Sequence, residues 1–389
     1  MFFLTMAGIP QSLPVSRLHV EGPFLKNSSG QTVILRGINH HGFLDVPDGA
    51  WDPPGAPLYS GMGSWNPGVV RQELRRYHQM GFNVVRFHTI VDWWKSNPQS
   101  YQDPYRKVAY PESYREMIED TVKWAGEQGL YVIFDFFALK NIEGRQSGQE
   151  SLPWPPEGRF PDVVKDKAEF ETIWESVSQT LGHYPNVLFE LYNEPHGDAG
   201  AEEDWFQFVK EVLPKIRVYS SNPIIVQWDY MCWVNLDYPP PAYRAGRLDW
   251  IEKHPLDDPN IVYGTHLYRN SGNGGPGTAH RSGPPLVNLW DESDIKQALT
   301  LALIPYVTQK IRKPLLVTEV GAYLANGSED KAHELLWLKN SLAILNEWGI
   351  GYVGWGWASD NQINHGMLHD GEPNAAGEIF LDSISKHLP

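Results

Sequence analysis

Apolar residues along the chain gather in short, β-rich runs separated by stretches of helical period. The runs are Val33–Asn39, Val84–His88, Tyr131–Phe137, Val187–Asn193, Ile224–Gln227, Ile261–Tyr268, Leu315–Glu319 and Tyr352–Trp357. Their continuity, without polar alternation, is what a strand covered on both faces requires. Between the second and third runs, Tyr114, Met117, Ile118, Thr121, Val122 and Ala125 follow helical spacing, with Pro111 at the start and Gly129 at the stop. Between the seventh and eighth, Leu335, Leu338, Leu342 and Leu345 form an apolar stripe that begins at Ser328, Glu329 and Asp330 and ends at Gly349. The gap Trp228–Asn260 is rich in Pro and Asp and predicts little helix.

Eight strands alternating with helices predict an α/β fold with a parallel sheet. At this length a closed (β/α)8 TIM barrel fits better than an open doubly wound sheet. No glycine-rich phosphate fingerprint follows any strand, which argues further against the open form. Leu18–Gln31 reads as a small β-hairpin with a turn at Asn27–Gly30, suited to plugging the bottom of the barrel. Residues 1–17 read as a lead-in and 18–389 as a single domain. Met1–Pro10 is apolar, but no Lys or Arg precedes it and no small-residue cleavage site follows. Long loops follow strands one, three, five, six and eight, on the face where such barrels carry their sites.

The informative residues are the polar ones at the strand ends, where apolar residues are the rule. Strand two ends Arg86-Phe87-His88, strand four Asn193-Glu194-Pro195, strand six His266-Leu267-Tyr268 and strand seven Thr318-Glu319-Val320-Gly321. Strand eight carries Trp355 and Trp357. Closure of a barrel brings these ends to one bowl, so Glu194 and Glu319 face each other there. Two carboxylates are the minimum equipment for cleaving a glycosidic bond, one protonated and one ionised. Arg86 and Tyr268 are placed to keep one of them anionic, and His266 to orient the other. Glu190 is a candidate structural partner for Arg86. A metal reading competes, through His40, His41, His88, His266 and Asp135. Against it, adjacent strand residues face opposite sides, and no helical ligand pair stands out.

Composition narrows the field. The 389 residues include 16 Trp, 18 Tyr and 15 Phe, and are 41% hydrophobic, enough for a large core. A net charge of −15 removes the basic footprint of a nucleic-acid binder. No apolar run is long enough to span a membrane. The single cysteine, Cys232, excludes an intrachain disulfide and a thiolate cluster.

The segments Leu35-Arg36-Gly37-Ile38-Asn39, Gly81-Phe82-Asn83-Val84-Val85-Arg86, Leu191-Tyr192-Asn193-Glu194-Pro195, His266-Leu267-Tyr268, Val317-Thr318-Glu319-Val320-Gly321 and Gly354-Trp355-Gly356-Trp357 occur in this order. With them the chain resembles glycoside hydrolase family 5 from about Leu18 to Leu388. The resemblance implies Glu194 as general acid/base and Glu319 as nucleophile of a retaining mechanism. It further implies Asn193 at the sugar 2-hydroxyl, Arg86 and Tyr268 on the nucleophile, His266 near the acid/base, and Trp355 beneath the reacting sugar. One position departs: Phe137 stands where the family usually has a histidine, and His88, His40 and His41 are the proposed substitutes.

The implied activity is endo-β-1,4-glucanase, with mannanase as the nearest rival and a non-catalytic carbohydrate-binding barrel as the alternative of another class. The partners expected are a polysaccharide or oligosaccharide substrate, with no cofactor, no metal, no nucleic acid and no membrane. A secreted monomer is expected. Sugar rings stack on indoles, so Trp93, Trp94, Trp228, Trp233 and Trp357 are candidate platforms, while Trp124, Trp174, Trp205, Trp337 and Trp348 are expected to pack helices onto the barrel.

Overall fold

The computed structural model describes residues 15–40, 67–97, 112–142, 145–147, 152–155, 160–196, 199–228, 251, 254–269, 291–301, 307–324, 331–357, 365–369 and 371–387. Most of the loops predicted after strands one, five and six, with His41 and Trp233, lie outside them.

Eight strands close into a barrel. In chain order they are β1 (Arg36–His40), β2 (Val84–Ile90), β3 (Tyr131–Ala138), β4 (Val187–Glu190), β5 (Ile224–Val226), β6 (Ile261–Tyr268), β7 (Leu315–Gly321) and β8 (Gly351–Gly354). Every neighbouring pair is parallel, and β8 returns to β1. The predicted runs match in position. Their ends shift: β1 starts later, at Arg36, β2 continues to Ile90, β4 and β8 stop earlier, and β7 continues to Gly321.

Helices cover the outside. Tyr114–Glu127 starts at Ser113 in a capping box, with Ser113 N–H donating to Glu116 at 2.7 Å. The predicted stripe of leucines lies in Lys331–Glu347, where Leu338, Leu342 and Leu345 are buried. Trp124, Trp174, Trp205 and Trp337 are buried in the layer between helices and strands. Trp174 meets Phe134 and Phe136 edge-on, with centroids 5.9 and 5.3 Å away.

The hairpin pairs His19–Glu21 with Phe24–Lys26, turning at Gly22; a second turn follows at Asn27–Gly30, where Lys26 bridges Thr32. Leu18 and Leu25 pack against Val84, Tyr131, Leu188, Ile225, Val262, Leu316 and Val353. Most of these lie in the first half of their strands, so the hairpin closes the N-terminal end of the barrel. The opposite end is left for the site.

Candidate active site

Strand pairing sets which side chains converge. Asn39 pairs with Arg86, His88 with Asp135, and Asp135 with Glu190, so all of these point into the barrel. Against β6, the register shifts between Thr265 and His266 because β7 carries one extra residue there, which brings His266 opposite Glu319. It slips on β7 between Val317 and Val320. Strict alternation would send Thr318 and Glu319 to opposite faces; the slip lets both reach interior partners, Glu190 and Arg86. Glu194 lies beyond the end of β4 with φ of 50°. That left-handed backbone costs a non-glycine residue about 1–3 kcal/mol, and it aims the carboxylate back over the bowl.

Arg86 is fully buried and binds most of the cluster. Its Nε donates to Glu190, Nη1 donates to Asn39 at 3.0 Å and Glu319 at 2.7 Å, and Nη2 donates to Asn193 at 2.9 Å and contacts Asp135 at 3.0 Å. Tyr268 donates to Glu319 Oε2 at 2.6 Å. His266 Nδ1 lies 2.8 Å from Glu194 Oε1 and 3.3 Å from Glu319 Oε2. Glu194 is 14% exposed and Glu319 5%, so the pair forms a floor that solvent just reaches.

Burial alone would lower the Arg86 pKa, but Asp135, Glu190 and Glu319 outweigh it and raise the value, so the guanidinium stays charged. Burial raises Glu319 above its ordinary 4.5; His266 and Arg86 oppose the rise, Glu194 adds to it and the Tyr268 hydrogen bond opposes it. Asp135 is raised further, by burial first and with Glu190, Glu319 and Glu194 acting against Arg86. Burial, with Glu319 beside it, pushes Tyr268 well up, so it remains a neutral donor. Burial pushes His266 down to about 4, which leaves it neutral near pH 7.

Trp355 is partly exposed at the end of β8, and Phe137 stacks on it at 5.5 Å and 11°. His88 meets both rings edge-on, at 4.4 and 5.1 Å, and pairs with Asp135 at 3.2 Å. Phe137 therefore forms an apolar wall against Trp355, and His88 lies buried in that wall.

Four expectations are corrected. His40 does not face the bowl: its Nδ1 lies 2.8 Å from the hydroxyl of Tyr77 on the helix Pro67–Gln79, because alternation turns it outward once Asn39 points in. Trp228 and Trp357 are 2% and 5% exposed and belong to the outer core. Trp357 meets Phe82 edge-on at 5.5 Å, so neither indole offers a face to a sugar. Trp94 is likewise buried, against Phe134 and Phe136. Trp93 is half-buried and packs beside the Ile90–Phe137–Ala138 cluster that also holds Trp355.

The sequence reading assigned no role to Thr318 or Gln227, although a buried glutamine and threonine at strand ends were the available signal. Of the residues weighed for a metal, His88 and Asp135 pair with each other. The donor atoms that do gather within 4.8 Å of one another belong to Glu194, His266 and Glu319.

A parallel barrel with two facing carboxylates, an arginine and a tyrosine on one of them and a histidine on both is a glycosidase-type site. The sequence profile of the cellulase family, glycosyl hydrolase family 5, matches residues 27–361. The chain belongs to that family. It is 22% identical over 256 residues to an endoglucanase of Clostridium saccharobutylicum, covering 65% of this chain and 43% of that protein. It is 24% identical over 354 residues to endoglucanase E-5 of Thermobifida fusca, covering 89% and 57%. The chain spans about half the length of the curated relatives it matches. An endocellulase from Pyrococcus horikoshii, solved with cellotetraose, superposes with a TM-score of 0.68 at 18% identity, covering 97% of this chain and 100% of that one. A β-glucanase from Saccharophagus degradans superposes with a TM-score of 0.65 at 16% identity, covering 100% and 98%. These two share the fold.

Proposed function

We propose that the protein is a retaining endo-β-1,4-glucanase, with Glu319 as nucleophile and Glu194 as general acid/base. The observation that carries the mechanism is the spacing of the pair, whose nearer carboxylate oxygens lie within 4.8 Å. Retaining enzymes hold their carboxyl groups about 5–5.5 Å apart, whereas inverting ones leave roughly 6.5–9.5 Å for a water. The hydrogen bonds support the division of roles. Glu319 takes two strong donors, from Arg86 and Tyr268, as an attacking carboxylate requires. Glu194 takes neither and is the more exposed, as a group that must meet the leaving oxygen and then water requires.

In the first step Glu319 attacks the anomeric carbon while the Glu194 carboxyl gives its proton to the departing oxygen. Ester formation removes the negative charge of Glu319, which lowers the pKa of Glu194. Glu194 then deprotonates the water that releases the sugar. Asn193 supports the sugar: its Oδ1 is held by Arg86, and its buried Nδ2 has no partner among the described residues, so it has a proton to offer a hydroxyl. Trp355, backed by Phe137, supplies the apolar platform. The endoglucanase names of the relatives favour β-1,4-glucan over mannan. A polymer of this kind is met outside the cell, which supports a secreted enzyme. Among the described residues no helix is long and apolar enough to cross a membrane.

Reducing-sugar release from soluble cellulose tests the reading. Glu319→Gln is expected to abolish it, and Glu194→Gln to lower it about 10²–10⁴-fold. Release unchanged in Glu319→Gln, or product appearing first as the α-anomer, would refute the assignment. A product profile across glucan, mannan, xylan and mixed-linkage glucan decides the substrate.

A further inference from the structure

Below the two carboxylates lies a layer of buried polar side chains, Glu190, Gln227 and Thr318. Gln227, at the end of β5, is 1% exposed, and its backbone carbonyl accepts a hydrogen bond from Trp205 Nε1 at 2.7 Å. Its side chain lies against Gly264 on β6, where a Cβ would come within 2.7 Å of Gln227 Cγ. The missing side chain at Gly264 is the slot that admits the glutamine.

We propose that Gln227, oriented by Glu190 and Thr318, is a positioning residue that locks His266 in the tautomer protonated on Nδ1. The ring can then donate to Glu194 and Glu319 but cannot take a proton from Glu194. The inference rests on the reading of Glu194 as acid/base.

Three donors converge on Glu190. Arg86 Nε reaches Oε2, and Thr318 Oγ1, at 2.9 Å, and Gln227 Nε2 both reach Oε1. A carboxylate accepts only, so the amide turns its nitrogen toward it; the flipped amide would set oxygen against oxygen. Thr318 spends its proton on Glu190 and accepts from Gln227 Nε2 at 3.0 Å. The amide nitrogen carries two protons: one goes to Glu190, and the second is shared between Thr318 Oγ1 and His266 Nε2, which lies 3.3 Å away. A neutral imidazole has one donor and one acceptor nitrogen. Facing an N–H, Nε2 must accept, so the proton resides on Nδ1. That proton points at both catalytic carboxylates, 2.8 Å from Glu194 and 3.3 Å from Glu319. Burial, which pushes His266 down to about 4, keeps the ring neutral and the division of roles intact.

The consequence concerns the first chemical step. Glu194 must keep a proton for the leaving oxygen. A lone pair on Nδ1 would offer that proton a competing acceptor 2.8 Å away. The Nδ1–H offers none. Once Glu194 has delivered its proton, the same N–H stabilises the carboxylate that must act as base.

The test reads the tautomer directly. Protein labelled with ¹⁵N-histidine is examined by long-range ¹H–¹⁵N correlation, with the His266 signals identified by their loss in His266→Asn. Wild type is expected to show a protonated, pyrrole-like Nδ1 and a pyridine-like Nε2. In Gln227→Glu, an acceptor faces Nε2, which is expected to become pyrrole-like, with kcat on soluble cellulose lowered about tenfold or more and KM little changed. Gln227→Met keeps the volume and removes the donor, so it serves if the charged variant does not fold; averaged tautomer shifts and a smaller fall in kcat are expected. A pyrrole-like Nε2 in wild type overturns the proposal, as does Gln227→Met with tautomer and kcat unchanged. The wild-type spectrum needs no turnover, so a failure of the glucanase reading is distinguished from a failure of the lock.

Discussion

Arg86 brings one positive charge to a buried site that holds Asp135, Glu190 and Glu319 within contact distance. Ionised Glu319 is held there by hydrogen bonds from Arg86 and Tyr268 to its two oxygens, with His266 beside it. This gives the pH dependence a sign. A nucleophile must be ionised, so activity is lost as pH falls through the Glu319 pKa. Burial raises that pKa, so the acid limb of kcat/KM is expected above the ordinary carboxylate value of 4.5. Tyr268→Phe removes a hydrogen bond that favours the charged form. The limb should therefore move to higher pH, with kcat reduced even on the plateau. An acid limb that stays in place in a pH–rate profile of Tyr268→Phe would show that the hydroxyl does not tune Glu319. The residues of this cluster were legible in the sequence because a charged or amide group closing an apolar run has no packing reason to be there. The misread residues were aromatic. An indole at a strand end is equally suited to a cleft and to a core, and Trp228 and Trp357 took the core.

Each strand contributes its side chains through its register. One extra residue in β7, which shifts its register against both β6 and β8, brings His266, Thr318 and Glu319 to the interior together. Period alone predicts one face or the other, so Thr318 could not be placed beside Glu319 from spacing. His40 shows the same limit in reverse: Asn39 turned inward and His40 followed alternation to Tyr77. Register also demands close approach of neighbouring strands. Gly37 on β1 pairs with Val84 on β2, and a Cβ there would lie 1.7 Å from the Val84 carbonyl oxygen. Gly37→Ala must push β1 from β2, displacing Asn39 and Arg86 two positions along. A loss of roughly 4 kcal/mol or more is expected in chemical denaturation. Wild-type stability in that variant would mean that the strands separate without cost.

The barrel as a whole separates stability from chemistry. The hairpin seals one end with Leu18 and Leu25, and the carboxylates occupy the other. Leu25→Ala should cost about 2–5 kcal/mol of stability and lower the melting temperature, with KM for soluble cellulose unchanged. A change in KM would show that the plug communicates with the site. The chain by itself determined the alternation of strands and helices, the two carboxylates and the family signature. These are carried by local period and by residue types that a buried strand excludes unless they have partners. Only the tertiary structure decided which tryptophans face a cleft, that His40 turns away, that one arginine serves Asp135, Glu190 and Glu319, and that Gln227 meets His266. Those outcomes depend on barrel closure and on register slips of a single residue, which set neighbours from distant strands side by side and leave no trace in local sequence.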